Sequence, residues 1–404
     1  MLHGTALVFA LAALAALAAS PARLGAQAIK LMTRDLARVE ESARADSNDA
    51  EVQYFLALAH WQKHHWKQVD SLLRLVVRLD PRFAEAYLAL AELPYARRDV
   101  LAAEEYRGVV PSALKPAVEE ARKFYQLAFR TDPLVDLRSF SVIYEIEDVN
   151  STRLTALQHM QYLRYVAWRD DLGKGRYDDA HERLRKLGQD TFDEAKHPER
   201  VPDFVLWYRG LAAAHSRQYA AAMVDFQALL DRTLKQEQKD EIVHVPLRDN
   251  EYRFMLASLN QMSGHLDRAA ALYREALERD LGLVMAHTYL AAIHDAAGHP
   301  DSALIERQRA AEQEDDPTAL FDYAASLFNL QRTIDAETPL LKAVKLNPRY
   351  APAYYLLGRV EEELGLGAEA RDAYTKFLAL APQKLRDLIA DAQHRLTTLP
   401  TEAP

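Results

Sequence analysis

The sequence predicts an all-α solenoid of antiparallel helix pairs, and three observations carry that prediction. Four alanines, Ala269, Ala303, Ala336 and Ala370, recur 34, 33 and 34 residues apart. Seven residues beyond each stand Ala276, Ala310, Ala343 and Phe377. Ser263-Gly264-His265 and Ala297-Gly298-His299 mark turns one period apart, with Gly365 as the counterpart in the last unit and Gln331 replacing Gly in the third. A period of about 34 residues accommodates two helices and a turn, and such a pair cannot bury its apolar face alone, so neighbouring units must stack.

The elements follow in order along the chain. Residues Ala6 to Ala19 are an unbroken run of Ala, Leu, Val and Phe, ended by Ser20-Pro21 and followed by the small-x-small stretch Ala26-Gln27-Ala28. That run of 14 residues is short for a membrane span and reads as a cleaved export signal over 1–28. Residues 29–47 read as a lone helix that starts the stack. Residues 50–83 form a unit through Tyr54, Ala57, Leu73 and the Leu79-Asp80-Pro81 ending. In 84–133, a first helix (Tyr87, Leu90, Ala91) and a second (Ala121, Tyr125, Ala128, then Pro133) are separated by an insertion from Pro94 to Pro116. Residues 134–153 contain Val142-Ile143-Tyr144-Glu145-Ile146, a short strand or an irregular helix. Residues 161–194 (Trp168, Gly175, Tyr177, Ala180) and 203–236 (Trp207, Gly210, Tyr219, Ala222, Phe226) are further units. The Pro-containing charged stretches 190–202 and 236–249 read as connectors. Four regular units begin near Asn250, Val284, Pro317 and Ala351, and 383–399 reads as a final polar-faced capping helix.

In the regular stretch the second-helix faces read Ala269-Tyr273-Ala276-Leu277, Ala303-Arg307-Ala310-Ala311, Ala336-Leu340-Ala343-Val344 and Ala370-Tyr374-Phe377-Leu378. Spacings of three, four and seven set these residues on one side of a helix. The first helices carry Ala257, Ala291, Ala324 and Gly358 at a matching position. This pattern resembles the tetratricopeptide repeat. The resemblance implies a right-handed superhelix of helix pairs, with small residues where two helices cross closely. Arg307 and Phe377 depart from the pattern, and Leu281 and Asp315 stand where that family commonly has Pro. The organisation expected is an export signal over 1–28, irregular repeats over 29–202, regular repeats over 203–384, and a capping helix and tail over 385–404.

Composition narrows the chemistry. The chain is 49% hydrophobic, which suits a packed core. Its net charge of −9 argues against a general nucleic-acid binder, and no later stretch is apolar enough for stable insertion into a membrane. With no cysteine, it has no thiolate metal site, no cysteine nucleophile and no disulfide. No nucleophile elbow, phosphate loop or dinucleotide fingerprint occurs, so neither a catalytic residue nor a cofactor is assigned. His60, His64 and His65 lie among Trp61 and Trp66. His60 and His64 share a helical face, but Trp61-Gln62 follows where a zinc protease needs an acid, and the group reads as a helix end rather than a metal site.

The resemblance implies that first-helix residues line a concave groove. By register these are Trp207 and His215; Phe254, Ser258, Gln261 and Met262; Thr288, Ala292 and Asp295; Phe321, Phe328 and Asn329; and Tyr355, Arg359 and Glu362. Aromatics interleaved with polar groups suit a protein or peptide partner. The expected function is an exported, non-catalytic scaffold or adaptor, periplasmic or extracellular, that binds a protein or peptide in its groove during envelope assembly or secretion. A structural subunit of an oligomeric envelope complex is the alternative, followed by a metal-dependent enzyme. The sequence leaves the oligomeric state open.

Overall fold

The structure is a computed structural model and describes residues 35–97, 114–135, 167–237, 247–279, 284–313 and 315–399. The export signal and the segment 136–153, with its strand-or-helix reading, lie outside these residues. The described residues form eighteen α-helices and no strand. In chain order they are α1 (Leu36–Ala45), α2 (Ala50–Gln62), α3 (Trp66–Leu79), α4 (Ala84–Ala96), α5 (Lys115–Thr131) and α6 (Ala167–Gly173). They continue as α7 (Tyr177–Phe192), α8 (Asp203–His215), α9 (Tyr219–Glu237), α10 (Leu247–Met262), α11 (Leu266–Arg279) and α12 (Val284–Ala296). The last are α13 (Pro300–Gln313), α14 (Pro317–Asn329), α15 (Thr333–Leu346), α16 (Ala351–Glu363), α17 (Gly367–Leu380) and α18 (Arg386–Thr398). Consecutive helices pack on one another from α1 to α5 and from α6 to α18, so among the described residues α2–α5 form two stacked hairpins and α6–α17 form six.

Each hairpin is held by close crossing. Ala269, Ala303, Ala336 and Ala370 are all fully buried. In two hairpins the first helix also brings a glycine to the crossing, and the reason is geometric. A Cβ on Gly358 would stand 2.8 Å from the Tyr374 ring, and one on Gly210 would stand 2.9 Å from the Phe226 ring. Both rings are fully buried, so neither can retreat into solvent. Phe377, which departs from the small-residue pattern, is also fully buried and packs on Tyr355 at 5.2 Å.

The turns inside the hairpins share one backbone state. Gly175, Gly264, Gly298 and Gly365 have φ of 69°, 79°, 74° and 78°. Glycine adopts this left-handed region without the Cβ clash that other residues meet. Gln331 takes the same position with φ 61°, as do His64 and Arg217 in earlier hairpins, so fold context imposes the conformation even where side chains oppose it. Caps fix several helix starts. The Asp49 carboxylate accepts from the Glu51 amide at 2.8 Å, and Asp316, just before Pro317, accepts from Thr318 N at 2.9 Å.

One boundary differs from the sequence reading. The insertion expected from Pro94 begins later, because α4 runs through Pro94 to Ala96. Leu93 and Pro94 are both buried, and their packing outweighs the lost backbone bond. The connector 190–202 is shorter than expected, since α7 reaches Phe192 and a single 3-10 turn spans Pro198–Arg200.

A tryptophan at position 303 would force the crossing of α12 and α13 apart. Ala303→Trp should destabilise the protein by about 1–3 kcal/mol. Calorimetry checks this, and an unchanged melting temperature would place Ala303 outside the crossing.

Candidate functional site

The superhelix closes on itself. Its N-terminal and C-terminal hairpins meet along a seam built from the turns between hairpins. Those turns share a local device: an Asp or Asn whose side chain accepts from the amide two residues on. Asp80 accepts from Arg82 N at 2.9 Å, Asp132 from Leu134 N at 2.9 Å, and Asn347 from Arg349 N at 3.1 Å. A proline follows each (Pro81, Pro133, Pro348), fixing φ and ending the preceding helical path.

Two of these turns, Leu79-Asp80-Pro81-Arg82-Phe83 and Leu346-Asn347-Pro348-Arg349-Tyr350, lie at the seam. Asn347 Nδ2 donates to the Arg78 carbonyl at 2.8 Å, and Arg349 donates to Asn48 Oδ1 at 3.1 Å. Arg82 forms an ion pair with Asp322 of α14, with side chains only 26% and 21% exposed. Beside this pair the Tyr350 hydroxyl is pushed above its ordinary range, chiefly by burial.

Beside the seam lies a half-open cavity of about 1360 Å³. Its walls are the prolines of the turns (Pro81, Pro133, Pro317, Pro348), apolar side chains such as Tyr87, Met285 and Tyr289, and charged groups of both signs. Arg82, Arg130, Arg307 and Arg349 face Asp132, Asp315, Asp316 and Asp322 around it. Arg307, the residue that departs from the repeat pattern, ties three helices together: it pairs with Asp295 of α12 and donates to Ser326 Oγ of α14 at 2.9 Å.

The structure divides the residues assigned to the groove by register. His215, Ser258, Gln261, Met262, Thr288 and Ala292 line the cavity. His215 stacks on Tyr177 at 4.7 Å, and the Ser258 hydroxyl lies 3.1 Å from that of Tyr273. Met262 is 53% exposed. Most of the aromatics are core residues instead. Phe254, Phe321, Phe328 and Tyr355 are 1%, 6%, 3% and 2% exposed. Phe254 packs between Tyr273 and Tyr289, and Phe321 meets Tyr350 edge-on at 5.5 Å. Trp207 is half-buried against Phe226 and Tyr252. The physical reason is stacking: a ring on a first helix reaches the next hairpin, which covers it. Asp295 and Asn329 are exposed outside the cavity.

At the C-terminal end, α18 lies over the face that would have been groove. The Tyr355 hydroxyl donates to Asp391 at 2.7 Å, and Arg395 donates to Glu362 at 2.9 Å. Arg359 sits over the Phe328 ring, 5.8 Å from its centroid. Tyr355, Arg359 and Glu362 are thereby joined to the end cap and the core rather than to the cavity. Sequence register did not identify the turn residues as lining. The repeated Asx-Pro pairs were the available signal.

The His60 and His65 rings approach with Nδ1 atoms 3.0 Å apart, and burial lowers the His60 pKa. Among the described residues no group of three or more His, Cys, Asp or Glu side chains is placed to hold a metal ion. No helix among them is long and apolar enough to cross a membrane.

Glu361, next to Glu362, is 4% exposed, and one carboxylate oxygen has no hydrogen-bond partner. Burial, with Glu337, Glu369 and Asp372 nearby, raises its pKa from 4.5 to about 7. A raised acid favours the folded state while protonated, so this contribution is complete below pH about 4.5 and lost as pH climbs through about 7. Glu361→Gln should therefore raise the melting temperature more at pH 8 than at pH 5. Equal gains at the two pH values would show that the ionised carboxylate is not a burden on the fold.

No protein-family model and no curated protein matches the sequence. Among solved structures, a MamA crystal structure is 22% identical, covers 35% of this chain and 91% of its own, and superimposes with a TM-score of 0.30. The C-terminal part of a TPR repeat-containing protein from Cytophaga hutchinsonii is 14% identical over 57% of this chain and 84% of its own, with a TM-score of 0.43. YrrB, described as a TPR protein with an unusual peptide-binding site, is 19% identical over 42% of this chain and 81% of its own, with a TM-score of 0.34. At these values the likenesses carry no functional argument. The repeat length, the small-residue crossings and the consecutive hairpins of the chain itself show that it folds as a tetratricopeptide-repeat solenoid.

Proposed function

We propose that this protein is a non-catalytic, exported scaffold that holds a segment of a protein partner in its central cavity. The observation that carries the reading is the cavity. Its roughly 1360 Å³ exceeds the 300–1,000 Å³ range of small-molecule sites and suits a short stretch of polypeptide. Apolar walls would take side chains, while the Arg and Asp groups could meet main-chain or side-chain polar atoms of a peptide. Export rests on the N-terminal apolar run and the small-x-small stretch after it. A role in envelope assembly or secretion belongs to the same reading.

A second reading has its own support. Ile334 and Leu341, seven residues apart on one face of α15, are 77% and 47% exposed outside the cavity. Such residues suit a structural subunit that packs against other chains.

Affinity capture from an envelope extract separates the two. Thr288→Trp should narrow the cavity and reduce recovery of the partner, while Ile334→Asp leaves it intact. The reverse pattern would move recognition to the outer surface and remove the cavity reading.

A further inference from the structure

Among the described residues, the consecutive hairpins before residue 136 and after residue 166 are joined through buried apolar side chains. The buried cluster of the N-terminal hairpins runs from Val39 to Leu93, and those of the C-terminal hairpins run from Leu304 to Ala373 and from Ala351 to Leu399. Among the described residues none of these clusters spans the seam. What joins the two ends is polar. Arg82 pairs with Asp322, Asn347 reaches the Arg78 carbonyl, and Arg349 reaches Asn48. Asn48 Nδ2 donates to the Ala379 carbonyl at 3.1 Å. Gln383 N donates to Asp46 at 2.8 Å, and Lys384 Nζ lies 3.2 Å from Asp49 Oδ1. Several of these groups are half-exposed: the Lys384 side chain is 46% exposed.

We propose that this seam is a latch: the solenoid interconverts between the closed ring and an open superhelix by releasing the N-terminal helices from α14, from the turn after α15 and from the segment between Ala379 and Lys384. The seam contacts range from exposed to largely buried, as in Arg82–Asp322, and all can be exchanged for contacts with water, whereas each hairpin junction must expose buried apolar side chains to open. The seam is therefore the joint that yields first. Opening it separates the two cavity walls, Val77, Pro81, Arg82 and Tyr87 on one side and Pro317, Asp322 and Asn347 on the other. Release of the latch therefore widens the way into the cavity for a chain segment. This holds whatever the cavity binds, so its test uses no ligand.

The chain has no cysteine, so two introduced thiols carry a dye pair without background. Ser71 on α3 and Thr338 on α15 are exposed, lie on the helices that lead into the two seam turns and take part in none of its bonds, so Ser71→Cys and Thr338→Cys carry the dyes. Energy transfer between the dyes reports closure, and circular dichroism reports helix content. Asp322 has no hydrogen-bond or ion-pair partner for its carboxylate other than Arg82 among the contacts described, so reversing its charge acts on the seam. Asp322→Arg should lower transfer with helix content unchanged, and adding Arg82→Asp should restore it. Transfer unchanged by Asp322→Arg would overturn the latch, as would a double variant that stays as open as the single one. A parent protein already showing low transfer would overturn it too.

Discussion

The structure depends on how closely two helices can cross. At Gly358 and Gly210 an aromatic ring of the second helix occupies the space of a missing Cβ. At the other crossings alanines do the same with a single methyl group. Because the contact is tight, the angle between the helices of a hairpin is fixed by contact rather than by loop length. Stacking repeats that angle, and a repeated angle becomes curvature. The ring and its cavity are therefore products of a local steric condition, met hairpin after hairpin.

The curvature has two consequences of different character. Along the stack it brings apolar faces together, which is why rings such as Phe254, Tyr273 and Tyr289 interlock. Across the ring it brings turns together, and turns are rich in Asp, Asn, Arg and Pro for backbone reasons of their own. The Asx side chains fold back on their own turns, leaving the arginines that follow to reach across. Arg82 and Arg349 occupy matching places in two turns of similar sequence, and each finds its partner on the far side of the seam.

Much of the fold was legible because it is periodic. The alanine ladder predicted which residues would be buried, and the Gly-centred turns predicted where the backbone would turn left-handed, with Gln331 following its neighbours. The site was less legible, for two physical reasons. Register on one repeat says which way a residue points but not how far the next repeat reaches, so Phe321, Phe328 and Tyr355 read as groove residues and are core. Nothing in a local window reports that residue 82 will meet residue 322. That meeting depends on accumulated rotation, to which every crossing contributes. His215, Ser258, Met262 and Thr288 line the cavity because they sit on helices where the next hairpin leaves the inner face uncovered.

Closure also ties the length of the array to its geometry. An open solenoid can gain or lose a repeat and merely become longer or shorter. Here Asn347 must face Arg78 and Lys384 must face Asp49 after a fixed number of hairpins. Deleting or inserting one hairpin would rotate and translate the far end by a whole step and leave both sets of turn residues facing solvent. The ring thus counts its own repeats, a constraint that sequence drift at individual positions escapes but unit duplication does not.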